Sequence, residues 1–155
     1  MSDAVNRALS AYSTVDLESA VNSASPVQLI LLLYDGAISA LATAKGHMQE
    51  MQFAEKGRLI SKATGIIEGL RAVLDFQRGG DIAKSLNDLY EYMKHRLSVA
   101  NLKNDPEGVA EVMRLLNELR GAWVILEDGD RLRAAAEMSK LTQGQGPREP
   151  LSLRA

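Results

Sequence analysis

The chain of 155 residues contains no cysteine, which excludes disulfides, thiolate nucleophiles and cysteine-ligated metals and is compatible with a reducing compartment. Proline is scarce and confined to boundaries: Pro26 follows Ser25, Pro106 follows Asp105, and Pro147 and Pro150 fall in the last ten residues. The net charge is only -2, so no basic field argues for nucleic acid. No apolar run is long enough to span a bilayer. Met1 to Arg7 lack the basic and apolar blocks of a signal peptide. A cytoplasmic protein without membrane insertion is expected.

The chemistry of catalysis is equally thin. The two histidines, His47 and His95, belong to different segments, and neither sits in a Glu-x-x-His pair, which removes the di-iron bundle pattern. Glu91 and His95, four apart, read as an exposed ion pair rather than a metal half-site. There is no phosphate-cradling glycine loop ending in Lys-Ser/Thr. Glu127-Asp128-Gly129-Asp130 lacks the later ligands of a calcium loop and reads as a charged helix end. Lys94, His95 and Arg96 read as a solvated helix face. No enzyme, cofactor or resident metal is expected.

What the chain has is helical periodicity, with no strand signal between Pro26 and about Gly129. Four segments follow, at about 26–52, 54–77, 81–102 and 106–127. The second carries Leu59, Ala63, Ile66, Leu70, Val73 and Leu74 on one stripe. The third carries Ile82, Leu86, Leu89, Met93, Leu97 and Ala100, and the fourth Val109, Val112, Leu116, Leu119, Trp123 and Leu126. Ser25-Pro26 and Asp105-Pro106 place a capping side chain before a proline at the first helical position, and Ser25 with Gln28 fits a capping box. Gly79-Gly80 marks a turn. Short connections between helices of similar length favour antiparallel neighbours. The fold expected is all-α, an antiparallel up-down four-helix bundle over 25–128. It is preceded by a flexible segment, 1–24, and followed by a short extra helix over 129–142 and a disordered tail over 143–155.

The first helix is apolar on nearly every side. Val27, Ile30, Leu31, Tyr34, Ile38 and Leu41 form one face, and Leu29, Leu32, Leu33, Gly36 and Ala40 another. The first face serves the core. Leaving Leu29, Leu32 and Leu33 in water would cost roughly 2 kcal/mol each. Either this helix is central and touches several neighbours, or its second face is a groove for an apolar segment of another protein. Tyr92 and Val99 lie at the rim of the third stripe and extend such a groove, while Tyr12, Leu17 and Val21 are placed to cover it when empty. Tyr34, Tyr90 and Trp123 read as core.

In this setting the ordered run of motifs resembles the FliS-type flagellar secretion chaperones. Those motifs are Ala24-Ser25-Pro26, Leu33-Tyr34-Asp35-Gly36, Gly79-Gly80-Asp81-Ile82-Ala83, Leu86 with Leu89-Tyr90-Glu91-Tyr92-Met93, Arg96-Leu97, Ala100-Asn101, Asp105-Pro106, Leu115-Leu116, Leu119-Arg120 and Ala122-Trp123. The resemblance covers about Tyr12 to Leu126. It implies a cytosolic export chaperone that binds the C-terminal region of flagellin, prevents premature polymerisation and presents the client to the flagellar type III export gate without consuming nucleotide. It also implies that the segment around Tyr12 covers part of the client surface. Two other classes stay open: an adaptor that takes a flagellar regulatory protein through the same groove, and a bundle enzyme or metal protein.

Overall fold

Three of the helices begin where a side chain accepts from the free N–H groups of the first turn; the helix at Phe53 starts without such a cap. The computed structural model describes residues 25–145. Helix α1, Pro26–Gln49, opens with the expected capping box: Ser25 Oγ accepts from the Gln28 N–H at 3.1 Å, and Gln28 Oε1 accepts from the Ser25 N–H at 3.0 Å. It stops at Gln49 rather than 52 because Met51 adopts a positive φ of 59°. Helix α2, Phe53–Ala72, also ends early. The chain turns at Val73 to Asp75, and the Asp75 carboxylate accepts from the N–H groups of Gln77 and Arg78 at 3.1 and 3.0 Å. Asp75 thereby starts helix α3, Phe76–Lys103, one turn ahead of the glycine pair. Gly80, with φ 51° and ψ -124°, breaks the helical path where the sequence marks a turn, so α3 is a short first stretch and a long second one joined across this kink.

Asn104 closes α3 in the left-handed conformation. Asp105 Oδ1 then accepts from the Glu107 N–H at 3.0 Å and opens α4, Pro106–Gln145. The extra helix expected over 129–142 is present as helix, but as an uninterrupted continuation of α4. Gly129 alone is only a modest helix penalty, and no proline follows before Pro147.

The four helices pack in sequence order, and α4 returns against α1, giving the all-α bundle. One core runs through it: Leu33, Tyr34, Ala37, Ala40, Leu41, Ala44 and Met48 from α1; Leu59, Ile60, Ala63, Ile66, Ile67 and Leu70 from α2; Tyr90, Met93, Leu97 and Ala100 from α3; Val109, Val112 and Leu116 from α4. Gly108 permits a close approach of α4 to α3, since a Cβ there would lie 2.7 Å from Ala100 Cβ and 2.6 Å from an Arg96 guanidinium nitrogen. Ion pairs cross three seams: Asp35–Arg120 at 2.5 Å, Glu68–Lys94 at 2.7 Å and Arg96–Glu111 at 2.7 Å.

Helix α1 corrects one expectation. Although interrupted by Asp35, it is long and apolar enough to cross a membrane by length and composition, with a best-window mean hydropathy of 1.6. Counting only unbroken apolar runs overlooked it. Its place here is the bundle core, where α1 packs against both α2 and α4.

Candidate functional site

The apolar stripe of α3 outruns its cover. Met93, Leu97 and Ala100 are buried, whereas Ile82, on the same stripe nearer the start of the helix, is 73% exposed. Around this uncovered end lies a cavity of about 320 Å³. Ile30 lines it from α1, Leu70 from α2, and Val73, Leu74 and Asp75 from the turn. Arg78, Gly79, Ile82, Ala83, Leu86 and Tyr90 line it from α3, and Trp123 from α4. A second hollow of about 290 Å³ shares Ile82 and Leu86 and continues to Leu89. Both hollows are predominantly apolar and both lie against α3. Lining this predominantly hydrophobic, with a few placed polar groups, is the usual build of a binding cavity.

Polar groups frame the hollow. At the rim, Asp75 and Arg78 stand 4.0 Å apart and largely in solvent. In the wall, the Trp123 indole Nε1–H donates to the Tyr34 hydroxyl at 3.2 Å, and the Tyr34 and Tyr90 hydroxyls are hydrogen-bonded to each other. Burial pushes both phenols above their ordinary range, Tyr90 the further. On the flank, Glu68 accepts from Arg71 and from Lys94, each at 2.7 Å, and Arg71 also pairs with Glu91 at 3.1 Å. The Arg71 hydrogen bond is the main cause that holds the Glu68 carboxyl at about 2. Among the described residues no group of three or more histidine, aspartate and glutamate side chains could hold a metal.

The residues expected to form the open face do not come together as one. Leu33 is 2% exposed and Ala40 5%, both within the core cluster, and Gly36 is also buried. These three are corrected from open surface to interior, because α1 is flanked by α2 on one side and α4 on the other. Leu29 and Leu32 are half-buried, and neither lines the cavity. Tyr92 is 43% exposed, with its hydroxyl donating to Glu111 at 2.5 Å, and Val99 is half-buried. Tyr12, Leu17 and Val21 lie outside the described residues. Of the residues given structural roles, Ser25, Pro26, Asp105 and Pro106 start helices as expected, while Gly79 and Trp123 also line the cavity.

Leu70, Val73, Leu74, Ile82, Leu86 and Trp123, which belong to the core stripes in the sequence, line the opening instead. One signal was available in the sequence. The third stripe begins at Ile82, next to the glycine pair, where the second segment's stripe is already ending at Leu74.

Fold and site together define a class: a helical bundle that leaves an apolar hollow open where the stripes of its helices run out. The family model described as flagellar protein FliS matches residues 8–129. A flagellar secretion chaperone FliS of Salmonella typhimurium is 48% identical over 116 residues, 74% of this chain and 86% of the relative. A flagellar secretion chaperone FliSB of Pseudomonas aeruginosa is 47% identical over 117 residues, 76% of this chain and 93% of the relative. The FliS of Bacillus subtilis is 33% identical over 106 residues, 68% and 78% of the two chains. The chain belongs to the FliS family of flagellar chaperones, whose members are named for a non-enzymatic role in flagellar biogenesis.

Proposed function

We propose that this chain is a cytoplasmic export chaperone. It binds the C-terminal region of flagellin, keeps it from polymerising and hands it to the flagellar type III export apparatus. The observation that carries the reading is the apolar hollow of about 320 Å³, continued along α3 by Ile82, Leu86 and Leu89. An amphipathic segment that would otherwise bury its apolar face in a filament can bury it here instead, so occupancy and assembly exclude each other. The work is binding without turnover. Ordering a disordered client is costly, so the contact must be wide, and two neighbouring apolar hollows along α3 offer more surface than either alone. The names borne by the relatives support the flagellar setting.

Calorimetric titration with a peptide from a flagellin C-terminus tests the reading. The wild-type chain should bind with a negative heat-capacity change. Ile82→Asp should weaken binding by roughly tenfold or more, given ~2 kcal/mol for a large apolar contact. Its helicity should be unchanged, because Ile82 is 73% exposed before binding. No binding by the wild type, or unchanged affinity in the variant, would overturn the assignment to this cavity.

A further inference from the structure

We propose that residues 75–79 form a short flap beside the hollow, pivoting at Gly80, and that Phe76 is a contact residue which this flap lays on an occupant. The inference rests on the hollow being the client site and adds a moving wall to it.

The wall of the hollow is built in two ways. Leu70 and Tyr90 belong to the core cluster, and Ile30, Leu86 and Trp123 pack against it. The stretch 73–79 is held more loosely. Of its two aliphatic lining side chains, Leu74 packs against the core, whereas Val73 is 37% exposed. The turn is shaped by bonds of its own. The Asp75 carboxylate accepts from the N–H groups of Gln77 and Arg78, and the Asp75 carbonyl accepts from the Gly79 N–H at 2.8 Å. It can therefore shift as one piece without breaking them. Its two ends are the points where the chain leaves helical geometry, Asp75 and Gly80. Gly80 holds its positive φ without strain, and no atom within 4 Å of where a Cβ would stand obstructs rotation there. Phe76 rides on this piece. It is 51% exposed and does not line the hollow, although Asp75 before it and Arg78 after it do. Over the empty hollow the ring would cover only water. Over an apolar occupant it would bury its free face, so occupancy and closure favour each other. A segment with few buried contacts is where such a movement costs least.

The test uses p-xylene, an uncharged molecule small enough for the hollow. The chain has two phenylalanines, and the other, Phe53, begins α2, whose far end meets the hollow. Ring-labelled phenylalanine therefore supplies one reporter and one internal control. Titration followed by NMR should give NOEs from the p-xylene methyls to the Phe76 ring and none to Phe53. Phe76→Ala should weaken p-xylene binding by about fivefold, and Phe76→Leu should recover part of that loss. In Gly80→Ala, checked for native helicity, rotation at the pivot is restricted. There the same Phe76→Ala change should matter little, a coupling that a fixed wall does not produce. Absence of p-xylene binding, absence of NOEs to Phe76, an affinity unaltered by Phe76→Ala, or a full Phe76→Ala loss in the Gly80→Ala background would overturn the proposal. Flagellin peptide binding is scored separately. A chain that closes Phe76 on p-xylene but ignores the peptide sinks the client assignment and leaves the flap standing.

Discussion

Glu68 is where a single side chain ties two helices. It accepts from Arg71 on its own helix and from Lys94 on α3, and these bonds, Arg71's foremost, hold its carboxyl at about 2 instead of 4.5. A carboxyl depressed on folding adds stability that is fully present above its unfolded value. The contribution is lost as pH falls from about 4.5 through about 2. The pair is partly solvated, with 29% of the Glu68 side chain exposed, so the charge is worth about 1 kcal/mol at neutral pH. Glu68→Gln should therefore melt a few degrees lower at pH 7, and the gap should close as both proteins are taken towards pH 2. Thermal denaturation across that range checks it. A gap that persists in acid would assign the loss to packing.

At the scale of the element, α3 depends on one residue for its bend. Gly80 has a positive φ with ψ near -124°, a conformation that a Cβ strains, although nothing lies within 4 Å of where that Cβ would go. Gly80→Ala should cost about 1–2 kcal/mol from backbone strain alone. Gly65, inside α2 with equally open space around its Cα, should respond in the opposite direction. Gly65→Ala should stabilise by up to about 1 kcal/mol through helix propensity and a less free unfolded chain. Urea midpoints of the two variants should move apart from the wild type's. Helix starts were legible in the sequence because capping is local: Ser25 with Gln28, and Asp105 before Pro106, need only their neighbours. The turn before α3 was not. Gly79-Gly80 does break the helical path, at Gly80, but Asp75 also captures the N–H groups of Gln77 and Arg78 a turn earlier, and that extra helical stretch depends on how α2 and α3 meet.

Across the whole molecule, protection should follow the core. The cluster from Leu33 to Met48 and its partners on the other three helices is one contiguous interior, whereas every residue from 131 to 141 is exposed. Amide hydrogens of the α1 core should exchange only on global unfolding. Those at 131–141 should exchange orders of magnitude sooner, since a helix without a packed face is marginal in water. Hydrogen exchange read by mass spectrometry tests this, and equal protection in both stretches would contradict it. The bundle itself was legible because the stripes on the second, third and fourth helices repeat at helical spacing. The opening was not, because periodicity is read one helix at a time. Leu33 and Ile82 look alike in such a reading, yet Leu33 is 2% exposed within the core and Ile82 is 73% exposed. Only the assembled ends of four stripes make the hollow.

Helix α4 runs on without a break for 18 residues from Trp123 in the cavity wall to Leu141. At 1.5 Å per residue that is a spacer of about 27 Å. Anything gripping its tip works at arm's length from a guest in the hollow, so the two can be held at once without jostling.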